Sequence, residues 1–327
     1  MIDLLPLTLE GNEPVEWQGE TSQLRWRWQG EGVLELTPRQ PYRQATVMSA
    51  GVHGNETAPI ELLNQLVGDL LAGRLPLTVR LLVVLGNPAA MRAGKRYLHS
   101  DMNRMFGGRY RNFVASGETV RAQQLERTLA AFFDGEQAAR FHYDLHTAIR
   151  ESHLPRFGIL PFQKHPYSEP MLKLLDAADL EALVVHSAPG GTFSHYSSEH
   201  LNAASCTLEL GKARPFGSND LKQFAAIDRA LRAAVSEGAL PARAGAEIRV
   251  FRVMHSLIKH SEDFKLHLDD DTANFTELQP GMLLCEQPQE DYRVGQEGAW
   301  ILFPNPSVAR GLRAGMLLSE VSRSTLY

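Results

Sequence analysis

The stretch Ala45-Thr46-Val47-Met48-Ser49-Ala50-Gly51-Val52-His53-Gly54-Asn55-Glu56 decides how this chain of 327 residues is read. Its first half carries no charge and has the composition of a buried strand. Its second half is broken by Gly51 and Gly54 into a loop holding two side chains that can bind a metal. Downstream, Thr57 to Leu71 places Ile60, Leu63, Leu66, Val67 and Leu70 at helical spacing, and Arg80-Leu81-Leu82-Val83-Val84-Leu85 is a second apolar strand. Strand, glycine-broken loop, helix and strand make an α/β unit.

The same alternation extends outward. Before the unit, Leu24-Arg25-Trp26-Arg27-Trp28 and Val33-Leu34-Glu35-Leu36 alternate as strands leading into the main domain. After it, Asn87 to Gly108 is rich in Gly, Pro, Asn and Arg without persistent periodicity and reads as a long functional loop. Ser116 can cap a helix over Glu118 to Phe133, and Phe141 to His146 is the next strand. Strands are then expected at 157–160, 182–185 and 205–210, with helices at 169–177 and 219–235. Beyond Gly238 the composition turns to short β-like runs at 248–251, 282–285 and 299–303. The predicted organisation is a catalytic α/β domain over residues 1–240, with a mixed or mostly parallel sheet, and a small β-rich domain over 241–327.

His53 and Glu56 stand three residues apart at a strand-to-helix loop, and Asp144-Leu145-His146-Thr147 ends another strand. Two imidazoles and one carboxylate form a zinc set with one position left open, the arrangement of a catalytic rather than a structural site. Ligands gathered at strand ends also fit the usual site location in open α/β sheets. Asp144 shares the strand face of His146, so it can orient that imidazole or serve as a turn residue. Glu209 lies in the otherwise apolar strand Cys206-Thr207-Leu208-Glu209-Leu210. A carboxylate there is either ion-paired or functional, and beside a metal it is a candidate general base. Arg96, Asn103 and Arg104 occupy the long loop, either as a solvated basic segment or as a grip for an acidic substrate. Arg150, Arg214, His195 and Tyr196 are further candidates for the cavity wall, the last two on a loop.

A formal net charge of −5 argues against a general nucleic-acid or anionic-membrane binder and leaves a small molecule as the expected partner. No apolar run reaches the roughly 18 residues of a membrane span, and Met1 to Pro6 has no secretory pattern. Cys206 and Cys285 are in no metal-binding spacing, so packing roles and a reducing cytoplasm are expected.

In order and spacing, Gly51 to Glu56, Arg96, Asp101-Met102-Asn103-Arg104, Asp144 to Thr147 and Thr207 to Gly211 resemble the succinylglutamate desuccinylase/aspartoacylase family of zinc-carboxypeptidase-like hydrolases. The likeness spans most of residues 42 to 236. It is strongest to the desuccinylase branch, at Asp144 to Arg150 and at Thr207 to Gly217. It implies a carboxypeptidase-like mixed sheet flanked by helices and a smaller C-terminal β domain. It also implies one zinc ion per subunit at His53, Glu56 and His146, acid/base work by Glu209, oxyanion support by Arg96, and substrate contacts from Asn103 and Arg104. The implied reaction is hydrolysis of N-succinyl-L-glutamate to succinate and L-glutamate, closing an arginine catabolic route. Aspartoacylases carry an arginine shortly before the catalytic glutamate, but Ser194 to Ser205 contains none, which favours a different acyl pocket. Alternatives are deacylation of another N-acyl acidic amino acid, peptide carboxypeptidase action, or zinc-dependent metabolite binding without catalysis. Oligomeric state is left open.

Overall fold

The computed structural model describes residues 2–236, 238–288 and 290–327. Along the chain, helix α1 (Leu4–Glu10) precedes strands β1 (Gln18–Glu20), β2 (Leu24–Gly30), β3 (Val33–Pro38) and β4 (Gln44–Ala50). Helix α2 (Thr57–Leu71), β5 (Arg80–Leu85), α3 (Pro88–Arg92) and α4 (Gly117–Phe133) follow. Next come β6 (Ala139–Ala148), β7 (Arg156–Leu160), α5 (Glu169–Ala177), β8 (Ala182–Val185), α6 (Phe193–Leu201), β9 (Ala204–Lys212) and α7 (Ala225–Ser236). The remainder is β: β10 (Arg249–Ile258), β11 (Lys265–Leu266), β12 (Thr276–Leu278), β13 (Leu283–Gln287), β14 (Glu290–Arg293), β15 (Ala299–Leu302) and β16 (Arg313–Val321).

Thirteen strands form one mixed sheet in the order β1-β2-β3-β5-β4-β6-β9-β7-β8-β10-β16-β15-β12, and β11, β13 and β14 form a small second sheet. At its centre β5, β4, β6 and β9 run parallel, whereas β7 is antiparallel to β9. The main sheet continues across residue 240, because Arg249 to Arg252 of β10 pair in parallel with Ala182 to Val185 of β8.

Period-two alternation divides the central strands by chemistry. Met48, Ala50, Leu81, Val83, Phe141, Tyr143, Leu145, Cys206 and Leu208 join the apolar layer that also takes up the buried faces of α1, α2, α5 and α7. The opposite face packs apolar side chains of α4 and α6 against Val47, Leu82 and Val84, but in β6 and β9 it carries His142, Asp144, His146, Ser205, Thr207 and Glu209. Those six side chains are all buried. A buried polar face at the middle of a sheet is costly without mutual hydrogen bonding, so its presence marks the functional side.

Two expectations about the chain needed correction. His195 and Tyr196, read as loop residues, lie in helix α6, which is capped by the Thr192 hydroxyl accepting from His195 N–H at 3.2 Å. The long loop between β5 and α4 is also not featureless: it contains α3 and two 3-10 turns, one at Met102–Arg104, capped by Asp101, and one at Arg109–Asn112. Among the described residues, no helix is long and apolar enough to cross a membrane.

Candidate active site

Three neighbouring parallel strands deliver the site. β4 ends at Ala50 and hands over to Gly51-Val52-His53-Gly54-Asn55-Glu56, β6 presents Asp144 and His146, and β9 presents Glu209 in register with His146. The loop after β4 needs glycine twice. Gly51 has a φ of 69°, the left-handed region that disfavours side chains. At Gly54, a side chain would run into the backbone of Ala90 and Met91 in α3. The loop is thereby pressed onto α3, and Glu56 becomes the residue preceding helix α2 without capping it. Its carboxylate is directed to the site instead, where the positive end of the helix dipole also favours it.

One ligand atom each from His53, Glu56 and His146 lie within 4.8 Å of one another, and all three residues are buried. His146 Nδ1 is 2.9 Å from Glu56 Oε2, and its Nε2 is 2.9 Å from Asp144 Oδ2. His53 repeats the pattern, with Nδ1 2.9 Å from Glu56 Oε1 and Nε2 2.9 Å from Asp101 Oδ1. An ionised carboxylate only accepts, so each ring donates from Nε2 to its outer Asp, and His146 donates from Nδ1 to Glu56 as well. His53 Nδ1 is close to Glu56 but out of line for a hydrogen bond, which leaves a buried nitrogen without a partner. Two imidazole nitrogens and a carboxylate converge on one point, and this donor set suits a divalent metal, which would replace the proton between His146 and Glu56.

The electrostatics follow from this convergence. Burial works against ionisation of Glu56, but His53 and His146 outweigh it and hold the carboxyl below its ordinary range. Burial likewise opposes protonation of His146, yet Asp144 and Glu56 carry its pKa well above 6.5. Behind Asp144 runs a buried polar chain. Ser49 Oγ donates to Asp144 Oδ1 at 2.5 Å and lies 2.8 Å from His142 Nε2, and His142 Nδ1 is 2.7 Å from Ser197 Oγ. Burial pushes His142 down to about 4, so this ring stays neutral and acts as a strut.

Glu209 is only 8 % exposed, and its Oε2 is buried with no hydrogen-bond partner. Burial is the main reason its carboxyl is pushed up to about 7, with His146 opposing and the Glu56 charge adding to the rise. The ion-paired structural alternative for this residue is not what the structure contains: none of its oxygens takes part in a salt bridge among the described residues. A carboxylate poised near neutrality can accept a proton and return it.

Arg96 Nη1 donates to Glu56 Oε1 at 2.8 Å, so it sits directly on the cluster. Asn103 Oδ1 accepts from the Phe193 N–H at 2.9 Å and ties the loop to the start of α6, which leaves its amide nitrogen as the group free to meet a ligand. Arg104 is part-exposed and lies 3.7 Å from Asp101 Oδ2. Arg150 instead donates to the carbonyl of Asp270, Arg214 is exposed, and His195 is committed to Glu199 at 3.1 Å. Tyr196 OH donates to the Glu126 carbonyl in α4. None of these four is brought to the cluster. Asp101 was overlooked as a partner of His53. Its position between Arg96 and Arg104 was visible in sequence, but its pairing depends on the 3-10 turn.

Residues 42–235 match the family pattern described as succinylglutamate desuccinylase/aspartoacylase catalytic domain, and residues 246–321 match the AstE/AspA barrel-sandwich hybrid domain. The chain is 74 % identical over 327 residues to a protein named succinylglutamate desuccinylase from Serratia proteamaculans (strain 568), covering 100 % of each. The crystal structure of the succinylglutamate desuccinylase from Chromobacterium violaceum superposes with a TM-score of 0.85 at 40 % identity, covering 98 % of each chain. The corresponding Vibrio parahaemolyticus structure gives 0.90 at 30 % identity, covering 98 % of this chain and 95 % of that one.

Proposed function

Because the chain belongs to the succinylglutamate desuccinylase/aspartoacylase family, we propose that it hydrolyses N-succinyl-L-glutamate to succinate and L-glutamate as a step of arginine catabolism. The observation that carries this reading is Glu209. It is a buried carboxylate without a partner, raised to about 7, in register with His146 of a convergent His-Glu-His set.

In this reading His53, Glu56 and His146 hold one zinc ion, with Asp101 and Asp144 fixing the two imidazoles from behind. When bound, zinc supplies a Lewis acid that polarises the amide carbonyl and makes water a stronger acid. Glu209 takes the proton of the attacking water and passes it to the departing amide nitrogen, so the proton count closes over one turnover. Arg96, part-exposed beside Glu56, offers its remaining N–H groups to the oxygen on which negative charge develops. Arg104 and the Asn103 amide nitrogen grip a substrate carboxylate, a task suited to a planar guanidinium. Residues 1–240 carry these groups, and 241–327 form the accessory domain. The substrate is an acidic N-acyl amino acid, and the free cysteines Cys206 and Cys285 suit a cytoplasmic setting.

The test is release of free amino acid by zinc-reconstituted protein from N-succinyl-L-glutamate, N-acetyl-L-aspartate and a C-terminal peptide substrate. Preference for the succinyl compound by about tenfold or more in kcat/KM is expected. Equal or greater turnover of either other substrate would refute the assignment.

A further inference from the structure

His142 is a buried imidazole two residues before Asp144 and four before His146, on the same face of β6. The protons of the polar chain it belongs to can be placed one at a time. Asp144 is held ionised and takes the His146 Nε2 proton on Oδ2 at 2.9 Å, so its Oδ1, 2.5 Å from Ser49 Oγ, takes the single Ser49 proton. With that proton committed, Ser49 Oγ can only accept from His142, and the 2.8 Å contact makes Nε2 the protonated nitrogen of that ring. The neutral ring then has a bare Nδ1, to which Ser197 Oγ donates at 2.7 Å. Ser197 Oγ also lies 3.0 Å from the Ser194 carbonyl, but sending its proton there would leave the buried Nδ1 empty. Ser205 Oγ, 2.9 Å from Ser197 Oγ, is the next donor.

The donors therefore point one way, from Ser205 through Ser197, His142 and Ser49 to the Asp144 carboxylate. Reversing them would set two lone pairs face to face across the 2.5 Å between Ser49 and Asp144. All five residues are buried, so none can fall back on bulk water if its neighbour is lost. The chain also crosses elements: Ser49 comes from β4, His142 and Asp144 from β6, Ser205 from β9 and Ser197 from α6. At the start of that helix Phe193, whose N–H is bound by Asn103, packs edge-on against the His142 ring at 4.8 Å. Rotation of the ring is thus opposed by packing as well as by its two hydrogen bonds. A buried polar network of this kind costs stability unless fully satisfied, and when satisfied it fixes the orientation of its members.

We propose that His142, acting through Ser49, is a positioning residue for the metal centre: it locks the Asp144 carboxylate in the orientation that receives the His146 Nε2 proton, and so keeps His146 Nδ1 aimed at the ion. The inference rests on the reading of His53, Glu56 and His146 as the zinc ligands. Hydrogen-bonded partners behind a ligand imidazole are worth about 10- to 100-fold in metal affinity, and a residue one contact further back falls at the lower end of that range.

Zinc affinity, read by competition with a chelating dye, tests this in Ser49→Ala, His142→Phe and His142→Gln, with circular dichroism confirming that each is folded. Ser49→Ala and His142→Phe are expected to bind zinc about tenfold more weakly, whereas His142→Gln, which can still donate to Ser49, recovers most of the loss. Two further backgrounds separate positioning from a merely structural role. In Asp144→Asn the chain has lost the carboxylate it acts on, so adding Ser49→Ala should cost nothing more. In Asp101→Asn, which acts on the other ligand ring, the same addition should cost its full penalty. Unchanged affinity in Ser49→Ala, or an equal further loss in the two backgrounds, would overturn the proposal. Should His142→Phe not fold, Ser49→Ala, which removes a single oxygen, decides the matter alone. Wild type that binds no zinc would refute the metal reading itself, whereas wild-type zinc binding that Ser49→Ala leaves intact refutes the role of the chain alone.

Discussion

Replacing Glu209 by glutamine should make the protein inactive and, above neutral pH, more stable. The carboxyl is raised from its ordinary 4.5 to about 7 in the folded chain, chiefly by burial. The native state therefore binds this proton more tightly than the unfolded state does. Its contribution is fully present below about pH 4.5 and is lost as pH rises through 7. At about 1.4 kcal/mol per pH unit, the metal-free wild type gives up roughly 3 kcal/mol across that window, whereas glutamine has no charge to desolvate. The measurement is urea unfolding of chelator-treated wild type and Glu209→Gln from pH 5 to 8.5. The quantity of interest is the difference between the two proteins, because the other titrating groups are common to both. That difference should grow in favour of Glu209→Gln as pH rises and level off above 7. Restoring a divalent metal should shrink it, since a cation nearby stabilises the carboxylate. A flat difference, or one that favours wild type at high pH, would refute the account of Glu209 as a buried, unpaired base.

In the same variant, kcat should fall by about 10²- to 10⁴-fold while bound zinc, measured by elemental analysis, stays near one per chain. His146→Ala and His53→Ala should lose both zinc and activity, and retention of stoichiometric zinc by either would remove it from the ligand set. Asp101→Asn keeps the shape but weakens the acceptor behind His53, so a 10- to 100-fold weaker zinc affinity is expected in competition with a chelating dye. Gly54→Ala should lower stability by about 2–4 kcal/mol in denaturant melts and impair zinc binding, because the new methyl meets the backbone of α3. Normal zinc binding there would show that the loop tolerates displacement.

The elements that were legible in sequence are those whose burial is apolar and periodic. Helix α2 and strand β5 occupy the expected Thr57–Leu71 and Arg80–Leu85 because their apolar side chains repeat at the right interval. Helix α6 escaped because its buried side includes Ser194, His195 and Ser197, which pack through hydroxyl and imidazole hydrogen bonds and leave no hydrophobic rhythm. Thr192 three residues before His195 was the available signal, as a helix cap. Helix α1 was hidden by Pro6 and by its short length, and β16 by the Arg313-Ala314-Gly315 start that gives its apolar run no alternation. At the site, His53, Glu56 and His146 were visible because a loop and a strand end each present them locally. Asp101 was not, since its importance lies in a partner that is 48 residues away.

The parallel pairing of β8 with β10 makes the C-terminal unit a continuation of the catalytic sheet rather than a bead on a tether. Backbone hydrogen bonds over four residue pairs, Arg249 to Arg252 against Ala182 to Val185, fix where the C-terminal unit joins that sheet. Recombination between relatives is constrained in the same way: an exchanged C-terminal half would have to dock its first strand at the same rung, or the side chains of its later strands would be shifted out of register with the sheet they join.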